Sequence, residues 1–155
     1  MSDSWTNPKA APASAEELRM TILQKEMEKM ELQEKRRTKE QEKLSTFATE
    51  FLTQHVTESE IAMVRRLVMK AVQDGKMEAM VYSFPSKLCT DLGRAINNNE
   101  RNWPETLQGK AKELYERYMK FGRPQGYKLK AMIINFPGGM PGDVGLFLNW
   151  EEPLA

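Results

Sequence analysis

No glycine or proline occurs between Ala15 and Val56, and a 3,4 spacing runs unbroken through that stretch. Its positions are Met20, Leu23, Met27, Met30, Glu34, Arg37, Gln41, Leu44, Ala48, Phe51 and His55. A segment with that period and no helix breaker predicts one long α-helix carrying a heptad seam, a candidate coiled coil. Ser14-Ala-Glu-Glu17 sets the start, because a Ser hydroxyl and a Glu three residues on satisfy each other's free amides in a capping box. The seam is apolar toward its ends and polar at its centre. Eight acidic and eight basic residues lie between Ala15 and Leu44, with opposite charges four apart at Glu31/Lys35 and Arg36/Glu40. Each such pair supplies only a few tenths of a kcal/mol. A helix charged all round its centre therefore persists by length or by finding a partner. Leu18, Leu23, Met27, Met30, Leu44 and Phe51 are the candidate partner-binding residues, and Glu34, Arg37 and Gln41 are positioned to specify register at some cost in stability.

Composition narrows what the rest can be. The 155 residues hold 23 Lys+Arg against 22 Asp+Glu, 29 % are charged, and no run reaches the roughly 18 apolar residues of a membrane span. One Cys and one His exclude an internal disulfide and a structural zinc site, and no cofactor motif is present. The first 14 residues lack the basic start and apolar block of a secretory signal, which leads us to expect a cytoplasmic protein. Residues 1–13, rich in Pro, Ser, Asn and Ala without an apolar period, read as a disordered tail; residues 14–56 are the long helix.

From residue 58 to 152 the pattern is that of a small domain. Thr57-Glu-Ser-Glu60 is a second capping box, followed by Ile61, Val64, Leu67, Val68, Ala71 and Val72 on one helical face, with Gly75 as C-terminal cap. Met77–Phe84 reads as a strand stopped by Pro85. A short helix is expected over residues 86–97, and a longer one from an Asn102 cap to Gly122 with Leu107, Ala111, Leu114, Tyr115, Tyr118 and Met119 inward. Tyr127–Phe136 and Val144–Trp150 read as two strands of an antiparallel hairpin about the Gly/Pro-rich residues 137–143. The fold class expected is α+β: a long helix, then an α-β-α-α-β-β domain with a three-stranded mixed sheet.

Glu78-Ala-Met-Val-Tyr-Ser-Phe-Pro-Ser86 echoes Lys130-Ala-Met-Ile-Ile-Asn-Phe-Pro-Gly138. If both are strands of one parallel pair, their Phe-Pro ends share one edge, and open sheets with parallel strands bind ligands beyond their carboxyl ends. Ser83, Ser86, Thr90, Asp91, Arg94, Asn135 and Asp143 are the candidate ligand residues there. The plainer reading is that Pro simply ends each strand.

Residues 110–130 interleave basic residues with Tyr115, Tyr118, Phe121 and Tyr127. Lys120, Arg123, Lys128 and Lys130 are thus candidate nucleic-acid contacts, because cations track phosphates while rings stack bases. The alternative is a solvated helix face. Cys89 would gain thiolate character at a helix start, but no imidazole is placed to activate it, and no catalytic residue is identified. Residues 137–142 lack the Gly-Lys-Ser/Thr ending of a phosphate loop. The reading that follows is a non-enzymatic interaction or regulatory protein that self-associates, or docks on a partner, through its long helix. Nucleic-acid binding through residues 110–130 and a ligand or catalytic site at the Phe-Pro edge are the alternatives.

Overall fold

The computed structural model describes residues 11–152. Most of the expected disordered tail therefore lies outside the described residues, and Ala11–Ser14 form no regular element. The architecture is α+β, a long N-terminal helix followed by a three-stranded sheet and several helices. Helix α1 spans Ala15–Thr53. Its start is the expected reciprocal cap: the Glu17 amide donates to Ser14 Oγ at 3.1 Å and the Ser14 amide donates to Glu17 Oε2 at 3.3 Å. The chain divides between Thr46 and Phe47 into two compact units. In the first unit every side chain from residue 15 to residue 46 is exposed.

The second unit begins with the last turns of α1. Ala48 is half-buried and Phe51 is only 1 % exposed. The Phe51 ring lies 5.1 Å from that of Phe84, 6.4 Å from Tyr82 and 6.0 Å from Phe47, centroid to centroid, in stacked arrangements. Phe51 is thus a core residue rather than a partner-binding one. Its apolar area is withdrawn from water by its own domain, so it has none to offer another molecule.

Helix α2, Glu58–Gln73, opens with the second capping box, the Glu60 amide donating to Thr57 Oγ1 and the Thr57 amide to Glu60 Oε1. Val64, Val68 and Ala71 turn toward the sheet, as their spacing requires. Strands β1 (Glu78–Pro85), β2 (Lys128–Ile133) and β3 (Asp143–Asn149) follow in the spatial order β1-β3-β2. The β2–β3 hairpin is as expected, but the sheet is antiparallel throughout rather than mixed. β3 folds back between β1 and β2, so these two run in the same direction without bonding to each other.

The sequence echo is not a structural repeat. Across β3, Val144 faces both Phe84 and Ile133, so the counterpart of Phe84 is Ile133 and not Phe136. Phe84 is buried while Phe136 is about half exposed. A bulge between Met80 and Tyr82 keeps Val81 and Tyr82 both beside the core.

The two remaining helices are shorter than their spacing suggests, for local reasons. Over residues 86–97 only the 3-10 turn Ser86–Leu88 and the short helix α3, Arg94–Asn97, form. Asp91 interrupts the run: its carboxylate accepts the Gly93 and Ala95 amides at 3.0 and 2.8 Å, with Leu92 and Gly93 left-handed at φ of 60° and 83°. Asn102 makes no side-chain cap, and the run after it breaks into a 3-10 turn, Trp103–Thr106, then helix α4, Gly109–Arg117, and a π-helical turn, Tyr118–Gly122. The break falls at Gly109, which is left-handed at φ 55°. A Cβ there would run into the Phe51 carbonyl and lie 3.0 Å from Leu52 Cα. Only glycine lets α4 start against the end of α1.

Val81, Phe84, Val144 and Leu146 make one sheet face into a core with Phe51, Cys89, Ile96, Leu107 and Ala111. On the opposite face Met80, Lys130 and Met132 are exposed. Phe51→Ala should cost about 3–5 kcal/mol of domain stability, and Gly109→Ala about 2 kcal/mol or more, since it adds left-handed strain to a backbone clash. Urea denaturation of both variants beside the native chain measures this.

Candidate functional site

The second unit carries an open cleft of about 690 Å³. One bank is α2, through Ile61, Val64, Arg65, Val68 and Met69. The other is α4 and the π turn, through Leu114, Arg117, Tyr118 and Phe121. Val81, Leu146, Leu148 and Leu129 form its floor. The only charged groups in the lining are the guanidinium groups of Arg65 and Arg117, both on exposed residues. Arg117 lies over the Phe121 ring at 5.4 Å from its centroid, and Lys120 shares that ring at 5.3 Å. Tyr118 is not available to a ligand, because its hydroxyl donates to the Tyr127 carbonyl at 2.7 Å and so braces the π turn against the start of β2. An irregular helical turn at the wall of a cleft is a frequent mark of function. The 3,4 pattern through residues 107–119 carries no sign of it.

The Phe-Pro ends do lie at one end of the sheet, as the shared direction of β1 and β2 demands, but their polar groups are spent on the fold. Ser86 is buried, its hydroxyl donating to the Pro141 carbonyl at 3.2 Å and its amide to the Gly142 carbonyl at 2.9 Å. Asn135 and Asp143 close the hairpin mouth on each other: the Asp143 amide donates to Asn135 Oδ1 at 2.7 Å and Asn135 Nδ2 to Asp143 Oδ2 at 3.0 Å. Asp91 holds the turn before α3. Ser83, Thr90 and Arg94 are exposed. These residues are hairpin and turn fasteners more than convergent ligand groups.

The basic stretch is likewise dispersed. Lys110, the first residue of that stretch, is buried and donates to Glu60 Oε1 at 2.7 Å, joining the first turn of α4 to that of α2. Lys130 reaches across β3 to Glu78 Oε1 at 2.9 Å, where Asn149 Nδ2 also donates at 3.3 Å. Lys120 sits on Phe121, Arg123 lies 3.9 Å from the Met119 sulfur, and Lys128 is exposed on the sheet. Tyr115 packs edge-on against Trp103, and Tyr127 against Trp150. Those rings already serve the fold.

Cys89 stands at the end of a 3-10 turn and is 2 % exposed. Burial, with Asp91 adding to it, pushes the thiol up to about 11 against the opposing hydrogen bond with Thr106. The expected thiolate character is therefore reversed, because no extended helix starts there to lower it. His55 is not a free seam position either; its Nδ1 lies 3.4 Å from Glu113 Oε2, which also accepts the Val56 amide at 3.1 Å. That carboxylate fastens the linker after α1 to α4. Burial also raises the Tyr82 hydroxyl to about 12, with the Glu60 charge adding to it. Among the described residues no group of three His, Cys, Asp or Glu could hold a metal, and no buried side-chain polar atom lacks a partner.

On α1 the candidate residues Leu18, Leu23, Met27, Met30 and Leu44 are all exposed, as are Met20, Ile22 and Leu32. Comparison with family models, curated proteins and solved structures finds no match to this chain.

The Glu60–Lys110 pair makes stability depend on acid. Burial alone would raise the Glu60 carboxyl, but the Lys110 ammonium and the Thr57 groups outweigh it and hold the carboxyl below its ordinary value. Lys130 holds the Glu78 carboxyl down against burial in the same way. A carboxylate depressed on folding stabilises the protein above its unfolded value of about 4.3 and loses that contribution as pH falls through the folded value. Stability should be level from pH 7 to 5 and fall below about pH 4. Lys110→Met should remove about 1–3 kcal/mol at pH 7 and flatten the acid limb, read from denaturation midpoints at a series of pH values.

Proposed function

We propose that this chain is a non-enzymatic interaction protein that self-associates through its long helix, the domain being the body that the helix carries. One observation supports it above the others: Leu18, Met20, Leu23, Met27, Met30 and Leu44 are all exposed on a single capped helix. Large apolar side chains gathered along one element mark an interaction surface, where singly scattered ones would not. A helix polar at its centre gains little from its internal charge pairs, and a second helix supplies the missing burial. The seam positions nearest the domain, Ala48 and Phe51, are occupied within the domain, so the available surface is residues 18–44. In the cell this is a cytoplasmic role requiring no cofactor.

The test is light scattering coupled to size exclusion, on the full chain and on a chain lacking residues 1–45, which retains Phe47 and Phe51. A full chain that is dimeric or larger, with a folded monomeric truncation, supports the proposal. Equal assembly states for the two would remove it.

A second reading rests on the cleft: apolar walls with only guanidinium groups for charge suit a molecule with an apolar body and a carboxylate head. Dodecanoate should then bind at least about tenfold more tightly than dodecanol, and the difference should vanish in R65Q/R117Q. Equal affinities in calorimetry would leave the cleft an unspecific groove.

A further inference from the structure

The polar centre of the α1 seam carries directional information. Glu34 and Arg37 are consecutive seam positions of opposite charge, and both are exposed. Resting on the self-association just proposed, we infer that α1 pairs with α1 of a second copy in antiparallel orientation, about a two-fold axis between residues 35 and 36. Each Glu34 then faces Arg37 of the other copy.

Charge complementarity selects both the direction and the register. In a parallel, in-register pair each seam residue meets itself, so Glu34 would face Glu34 and Arg37 would face Arg37, with Glu26 flanking Glu31 of the other helix. Like charges desolvated at a seam are strongly disfavoured. Antiparallel pairing about the axis at 35–36 turns both central contacts into attractions and places Met27 opposite Leu44 and Met30 opposite Gln41. The flanking pairs become Gln33 with Glu40 and Glu31 with Thr38, none of like charge.

The neighbouring antiparallel registers lack this property. Moving the axis one half-heptad toward the N-terminus sets Glu26 against Glu40 and Glu31 against itself, and puts Arg37 opposite Met27. Moving it the other way sets Glu40 against itself and Glu34 opposite Leu44. Of these three registers only the one about residues 35–36 leaves no like-charge contact, and its pairs from Met27 to Leu44 lie within the exposed part of the helix. The central ion pairs contribute less to affinity than to excluding the alternatives, which is what polar seam residues do in coiled coils.

The experiment uses the full chain. Sedimentation gives the assembly state and its dissociation constant, and circular dichroism checks that each variant keeps its helix. Glu34→Arg, which replaces two attractions by two repulsions, should weaken the dimer about tenfold, and E34R/R37E should bring it back to within about threefold of the native value. Under mild oxidation M27C/L44C should yield a covalent dimer, while M27C and L44C alone should not. These two positions are too far apart along one helix to join within a chain. A dimer that M27C alone and L44C alone each trap, with no recovery in E34R/R37E, would overturn the antiparallel inference and leave self-association standing. A native chain that stays monomeric at all concentrations would overturn both.

Discussion

The domain is organised around one aromatic ring delivered from outside the sheet. Phe51 comes from the last turn of a helix that is exposed over its first 32 residues, 15–46, and it stacks on Phe84 and Tyr82 of β1. Burying a phenylalanine contributes about 1.5–3 kcal/mol, a large share of what a domain this size gains on folding. The interaction also dictates its surroundings. Helix α4 must begin where the end of α1 already runs, which requires a residue without a Cβ at position 109. The chain must then leave α1, turn and enter α2, and Glu113 from α4 fastens that linker through the Val56 amide and His55. Phe51, Gly109 and Glu113 act as one joint, although Phe51 lies more than fifty residues before the other two.

The second organising contact is polar. Glu60 is at once half of the Thr57 capping box and the partner of Lys110, so the same carboxylate starts α2 and ties it to α4. A lysine at the first turn of a helix is unfavourable for the dipole, and here a carboxylate from the neighbouring helix start compensates. The arrangement places α2 and α4 side by side over the sheet, and their separation opens the arginine-rimmed cleft. The π turn lines that cleft, and its Phe121 remains exposed beside Arg117 and Lys120.

An exposed helix face and part of the domain core thus share one 3,4 spacing. Phe51 is taken by the chain's own core and Ala48 is half-buried, while Met20 to Leu44 keep the same spacing and are exposed. A periodic pattern says which residues share a face. It does not say whether the face is covered by the same chain or by another.

That ambiguity separates what was legible in the sequence from what was not. Both capping boxes, the long helix, α2, the three strands and the hairpin follow from local rules: hydroxyl and carboxylate three residues apart, periods near 3.6 and 2, and Gly or Pro at turns. Each depends only on neighbours within a few residues, so the sequence determined them by itself. Strand order, the burial of Phe51, the break at Gly109, the Glu60–Lys110 pair and the elevated Cys89 thiol join residues that the chain's path alone brings together. The Phe-Pro echo shows the difference most plainly. Phe84 and Phe136 look equivalent in sequence, but β3 folds between their strands with a register that matches Phe84 to Ile133. Pairing register is a property of two strands at once, and only the tertiary structure could decide it.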